Sequence, residues 1–436
     1  MRITPVALVL LLAGAVLAGC SSPPADDKTI LPPPPPPPLY PVFTTPTKVG
    51  TGGEPGLLLT NGTIWAHAPG HMWRSEDKGA NWTAVDPGPA LGVFGNDAEM
   101  VQDSTGRIYY SDLQLTATLA VYSSGDNGKT WDYHPIASMS PAVDRQWMAT
   151  GPDAGPLKGS APAVYLAFNQ LTSSPWVMKS TDGGKTWLGH IVDPTQDPGR
   201  FWSIGNLVAD NRTGQLFLTW VVGSAAHGIG PEPPVVDWKI RMATSTDGGL
   251  TWTAHDIYDP AGNPGHLFAV LAEDSAGRLY TTWSQDVGDH EEIMLMSSAD
   301  QGTTWTAPVK VNQHNGTAVQ PWIAAGAAGH VAVVWYGNNQ TKLSDDASGD
   351  WFVYMAQSLD ANATAPHFTE SKVYEDAIRT GPICTVGIAC DPTSDARDLL
   401  DFFEVKLDAK GNANVIFADT NHKGIFFARQ VDGPTL

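Results

Sequence analysis

Apolar residues fall along this chain in short runs, rich in aromatic and β-branched side chains, that come in pairs joined by a turn. The first pair runs from Gly56-Leu57-Leu58-Leu59 through Asn61-Gly62 to Ile64-Trp65, and the second from Glu99-Met100-Val101 past Gly106 to Ile108-Tyr109-Tyr110. Four more centre on Tyr165 to Phe168, Leu216 to Trp220, Leu279 to Trp283 and Val331 to Trp335. A seventh joins Phe402-Phe403-Glu404-Val405 to Val415-Ile416-Phe417-Ala418. Runs this short, bounded by glycine turns and with few long helical periods between them, predict an all-β chain.

A second pattern follows each of the first five pairs: serine, any, aspartate, any, glycine, any, threonine, tryptophan. It occurs at Ser75 to Trp82, Ser124 to Trp131, Ser180 to Trp187, Ser245 to Trp252 and Ser298 to Trp305, with Asn81 replacing threonine in the first. Its aspartates, Asp77, Asp126, Asp182, Asp247 and Asp300, lie 49, 56, 65 and 53 residues apart, and Ser358-Leu359-Asp360 reads as a worn sixth copy. Such spacing suits propeller blades better than helical solenoids. The chemistry is that of a folded turn, with serine and aspartate accepting backbone N–H groups and glycine taking a positive φ. Trp82, Trp131, Trp187, Trp252 and Trp305 then supply an apolar plug at a fixed place in each repeat.

These turns resemble the Asp box, or bacterial neuraminidase repeat, and they recur in register as in sialidases. The resemblance implies a β-propeller of four-stranded blades, with the box between the third and fourth strands, away from the ligand face; the five aspartates are therefore structural. Seven strand pairs predict seven blades, with the six of sialidases proper as the alternative. The seventh unit stops at a third strand, Ile425 to Arg429, while Val42 to Val49 has the composition of an outer strand. Pairing the two ends closes the ring and hides an edge.

In such propellers ligands meet the leading ends of the inner strands. Here those ends carry Asn96, Asp97 and Glu99, then Asp144, Arg145 and Gln146, then Arg200, His266, Gln320, Asp401 and Glu404. Trp147, Phe201, Trp202, Phe268, Trp322 and Phe402 accompany them. Rings beside carboxylates and arginine suit a sugar, which makes Trp147, Trp202, His266, Gln320 and Trp322 ligand-binding candidates. The same aromatics equally serve as core between blades. The sialidase resemblance implies three arginines on a substrate carboxylate, one in a Phe/Tyr-Arg-Ile-Pro motif, but the matching place reads Gly52-Gly53-Glu54-Pro55, whose glutamate repels a carboxylate. Arg145 and Arg200 are the arginines at leading ends, with Arg379 and Arg397 available from the last insertion. Tyr336 with Glu404 is the candidate for the family's tyrosine and glutamate pair. Any other glycosidase chemistry would draw on Asp97, Glu99, Asp144 and Asp401.

The ends and the charge add location. A basic start and an apolar run from Val6 to Leu17, closing on Leu17-Ala18-Gly19-Cys20, resemble a bacterial lipoprotein signal with Cys20 as the lipidated residue. Residues 21–41, with seven consecutive prolines from Pro32 to Pro38, read as a polyproline II stalk, and 42–436 as the propeller. An exported chain anchored to the outer face of a membrane is therefore expected. Outside the cytoplasm, Cys384 and Cys390 are expected to form a disulfide. Asp391, Asp395, Asp398 and Asp401 with Arg397 form an acidic loop. Asp395 and Asp398 are weak calcium candidates there, against an arginine-paired or solvated loop; no cofactor is otherwise expected. A formal charge of −20 argues against nucleic acid as a partner. The expected function is binding of an extracellular glycan or protein by a monomer, with an exported exo-α-sialidase-like glycoside hydrolase as the rival and an envelope platform as the third reading.

Overall fold

The structure is a computed structural model. It describes residues 39–88, 95–114, 118–136, 143–156, 159, 161–170, 175–196, 201–223, 238–264, 267–387, 390–391 and 393–436. Cys20 and all but the last residues of the proline-rich stretch lie outside them. Seven antiparallel sheets follow one another along the chain among the described residues; six are built in sequence order from four strands, the sixth with the short Arg379–Thr380 added beside its third strand. Their innermost strands are Gly56–Leu59, Gly95–Gln102, Val143–Gly151, Phe201–Ala209, Val270–Glu273, Ala318–Ala325 and Glu404–Leu407, for blades 1 to 7. Each innermost strand touches the next, and Glu404–Leu407 returns to Gly56–Leu59, so the blades form a closed ring around an axial channel. The protein is a seven-bladed β-propeller, as the seven strand pairs predict.

Closure is made by the two ends. Strand Gly424–Asp432 of blade 7 pairs with Val42–Phe43 and Thr47–Gly50, which supply the missing outer strand. Glycine follows from contact here: a side chain on Gly50 would collide with the Trp73 ring.

The second strand of every blade carries the core. Trp65, Trp220, Trp283 and Trp335 stand on the second strands of blades 1, 4, 5 and 6 and are fully buried. Each such ring contributes on the order of 2–3 kcal/mol through the area it removes from water.

All five turns lie between third and fourth strands and share one hydrogen-bond pattern. In the second, Ser124 Oγ donates to Asp126 Oδ1 and accepts the Gly128 N–H, while Asp126 takes the Thr130 N–H and hydroxyl at 2.9 and 2.7 Å. Tryptophan closes the turn, with the indole N–H of Trp82, Trp187, Trp252 and Trp305 donating to the carbonyl of its own turn glycine. The worn sixth copy keeps the Ser358–Asp360 bond and uses His367 where the others use threonine. A second role was not legible: in three of the five turns the glycine is a wedge against the preceding blade. A side chain on Gly79 would strike Phe427 of blade 7, one on Gly128 would strike Trp65 of blade 1, and one on Gly302 would strike Met242 of blade 4.

Hydrogen bonding to Asn81 holds Asp77, and hydrogen bonding to Thr130 holds Asp126, at a pKa of about 2 against an ordinary 3.8. A depressed carboxylate stabilises the fold fully above its unfolded value and loses that contribution as pH falls through the folded one. The urea midpoint is therefore expected to drop between pH 4 and pH 2, and by less in Asp126→Asn. An equal drop in that variant would contradict the assignment.

Candidate functional site

Every innermost strand begins irregularly at the same end of the channel, here called the mouth. Glu54, Arg145, Leu267, Gln320 and Leu400 adopt φ values of 48°, 29°, 78°, 54° and 60°, at or just before the innermost strands of blades 1, 3, 5, 6 and 7. Register shifts mark the corresponding part of blades 2, 3, 4 and 6. Left-handed backbone in residues with a Cβ costs on the order of 1–3 kcal/mol each, and bulges re-aim side chains, which is why both gather at working surfaces. Bonds between blades hold the irregular ends. The Arg145 and Gln146 side of blade 3 is tied to Asp97 of blade 2 by Arg145 N–H to Asp97 Oδ2 (3.1 Å) and Gln146 Nε2 to Asp97 O (2.6 Å). Ser203 donates to Leu267 O, Gln320 Nε2 to Leu400 O, and the Asp401 N–H to Glu54 Oε1.

Trp147, Phe268, Trp322 and Phe402, from four blades, pack together across the channel: Trp147 meets Phe268 and Phe402 edge to face, with centroids 5.5 and 5.3 Å apart, and Trp322 at a tilt, 5.0 Å away. The Arg145 guanidinium lies between two of these rings, 3.6 Å from the Trp147 centroid and 3.9 Å from that of Phe402. This plug has a cavity on each side. At the mouth a small pocket of about 40 Å³ is lined by Glu54, Asp97, Asp144, Arg145, Arg397 and Asp401, with Asn169, Ser203, Leu267, Phe268 and Gly387. Towards the base a cavity of about 460 Å³ runs along the strand ends from Leu57 to Lys406.

Burial governs the charges at the mouth. Desolvation, then the charges of Asp97 and Asp401, push Glu54 well above the usual carboxylate range, and its carboxyl shares a hydrogen bond with Asp97. Desolvation, then Asp97, pushes Asp144 up to about 7. Beneath them, desolvation and then Glu404 push Glu99 up to about 8. Arg145 is 5% exposed. Its guanidinium faces Asp97 at 3.6 Å and Glu99 at 4.0 Å without a hydrogen bond among the described residues. Carboxyl groups whose proton affinity burial raises thus stand beside an arginine whose side-chain donors make no hydrogen bond among the described residues, an arrangement able both to accept hydroxyl hydrogen bonds and to give a proton.

The structure brings together five of the sequence candidates, Asp97, Asp144, Arg145, Arg397 and Asp401, and sets Glu99 just below. It separates the others. Tyr336 is enclosed between blades 6 and 7, stacked on Phe403 with its hydroxyl accepting the Ala418 N–H, and does not line the pocket. Glu404 accepts the Leu57 N–H and pairs with Lys406 on the base side. Trp147 and Trp322 are 1% and 3% exposed and form the plug, so neither offers an open face for a sugar to stack on, and buried Gln320 is occupied by Leu400. Arg200, His266 and the side chains of Asn96, Phe201 and Trp202 lie outside the described residues. Cys384 and Cys390 are joined. In the acidic loop Asp395 pairs with Arg379 and Asp401 with Arg397, and among the described residues Asp395 and Asp398 belong to no group of three metal-ligating side chains. Glu54 was read from sequence only as a residue unfit for a carboxylate ligand; its place just before an innermost strand was the signal that it lines the mouth. His67, on the alternation Ile64-Trp65-Ala66-His67-Ala68, gave no such signal.

No family model matches the chain. Over 279 residues, 60% of its length, it is 25% identical to a xyloglucanase of a Paenibacillus species, and the match covers 22% of that protein. Over 150 residues, 30% of its length, it is 32% identical to a sialidase of Micromonospora viridifaciens, of which 23% is covered. The chain thus spans less than a quarter of each of these relatives. An ulvan lyase superposes with a TM-score of 0.54 at 12% identity, over 88% of this chain and 95% of the other, and shares the fold.

Proposed function

We propose that this chain is an exported, lipid-anchored propeller of the sialidase-like Asp-box kind that engages a neutral glycan at the channel mouth. The observation that carries this reading is the convergence of Glu54, Asp97, Asp144 and Asp401 with Arg145 and Arg397 in one pocket on the axis. Likeness to parts of a xyloglucanase and a sialidase supports a carbohydrate ligand. Charge selects the kind: four acids face two arginines, and Arg397 is already held by Asp401 at 2.7 Å. A sialoside carboxylate would be repelled, whereas sugar hydroxyls donate to carboxylates and accept from Arg145. The expected result on a glycan array is capture of neutral oligosaccharides in preference to sialosides; the reverse order would overturn the reading. Anchoring at Cys20 predicts release of Cys20→Ser into the medium.

Hydrolysis is the second reading, favoured by Asp144, which still holds a proton near neutrality beside the other acids. It predicts turnover of a neutral aryl glycoside that declines above pH 7 as Asp144 ionises, and a loss of about 100-fold in Asp144→Asn. Absence of turnover across such a panel would leave binding alone.

A further inference from the structure

On the base side of the plug, His67, Glu99 and Glu404 meet, one from each of blades 1, 2 and 7. One ligand atom from each lies within 4.8 Å of the other two, and all three residues are buried, at 0%, 4% and 0% exposure. Both ring nitrogens of His67 and Oε1 of Glu404 are buried without a hydrogen-bond partner among the described residues. A polar atom enclosed in that way costs about 1–3 kcal/mol, and three in one spot call for a ligand. The other carboxylate oxygen of Glu404 is fixed: Oε2 accepts the Leu57 N–H at 2.9 Å and faces Lys406 Nζ at 3.4 Å. Glu99 Oε1 likewise accepts the Met100 N–H. The free Oε1 of Glu404 is thereby oriented by its neighbours, as outer partners orient metal ligands. Room for the imidazole is made by Gly56, where any Cβ would lie 2.3 Å from His67 Cε1 and Nε2 and 3.3 Å from the Glu404 carboxyl carbon.

We propose that His67, Glu99 and Glu404 bind a first-row divalent cation of the Zn²⁺ class. One imidazole nitrogen and two carboxylate oxygens are a mixed donor set that Zn²⁺ accepts, whereas Ca²⁺ and Mg²⁺ prefer oxygen alone. Two carboxylates balance the dication. Lys406 is the resident competitor, and its 37% exposed side chain can withdraw its ammonium into the base cavity when the ion arrives. Because the ligands come from blades 7, 1 and 2, the ion ties the closing blade to the first two.

The test strips the full chain with a chelator and titrates Zn²⁺ by calorimetry, with Ca²⁺ as comparator and the visible absorption of Co²⁺ as a report on donor type. The expected result is one Zn²⁺ per chain, a raised melting temperature, weak or no Ca²⁺ binding and a nitrogen-containing Co²⁺ spectrum. His67→Ala and the isosteric Glu99→Gln should each weaken Zn²⁺ by at least about 100-fold and remove the Co²⁺ band. Lys406→Gln should tighten it. Stoichiometric binding that survives both ligand substitutions, preference for Ca²⁺, or weaker binding in Lys406→Gln would overturn the site. Near-ultraviolet circular dichroism of Glu99→Gln keeps the outcome separate from misfolding.

Discussion

Arg145→Ala is expected to destabilise the propeller by about 3–5 kcal/mol at pH 8, the range seen when one partner of a buried charge set is removed, and by much less near pH 4. The guanidinium is buried between Trp147 and Phe402 and is the positive charge that faces both Asp97 and Glu99. Without it those acids, together with Glu54 and Asp144, are left against one another in a desolvated space. Arg145 holds down the raised values of Glu54 and Asp144, so without it the folded chain binds their protons more tightly still. The extra loss is small near pH 4, where these groups hold protons in parent and variant alike, and opens as pH rises past the parent's folded value of about 7 for Asp144. Urea unfolding of parent and variant at pH 4 and pH 8 measures it. An equal loss at both values would mean that ring packing, not charge, is what the arginine supplies.

Gly128→Ala is the second large effect, at roughly 2–5 kcal/mol. A Cβ there would sit 2.1 Å from the fully buried Trp65 ring, and φ at this position is +76°. Overpacking a tight core costs about 1–3 kcal/mol, and the left-handed conformation adds roughly 1–2 kcal/mol for any residue with a Cβ. Gly62→Ala separates the two contributions, because its φ of +91° is comparable and nothing stands within 4 Å. Gly62→Ala is expected to lose only the backbone share. Equal losses in the two variants, read from denaturant midpoints, would show that the turn glycine is not a wedge between blades.

The propeller was legible because its signals repeat. Five copies of a turn whose serine and aspartate have one sensible hydrogen-bonding solution fix the blade period, and the strand pairs before them fix the count. Closure was legible because Ile425 to Arg429 ends the seventh unit one strand short, and Val42 to Val49 has the composition to supply it. The mouth was legible in part, since any innermost strand must begin there, and Asp97, Asp144, Arg145 and Asp401 stand at those beginnings. What sequence does not carry is direction across blades. Trp147 and Trp322 have the same pattern whether a ring faces a ligand or its neighbours, and contact with Phe268 and Phe402 decides for the neighbours. The meeting of Glu404 with His67 and Glu99 likewise depends on ring closure, which puts the end of the chain beside its beginning.

That closure also decides where tension goes. The segment beginning at Leu39 leads directly into Val42–Phe43 and Thr47–Gly50, the strands that complete blade 7, and Thr44 exchanges hydrogen bonds with Arg429 through its N–H and its hydroxyl. A tug on the leading end is therefore delivered straight to the seam of the ring. Directed along the strands it loads the rungs against Gly424–Asp432 together, in shear; directed sideways it peels them one at a time. Tethered by its leading end, the protein would hold against drag along the first direction and open like a clasp along the second.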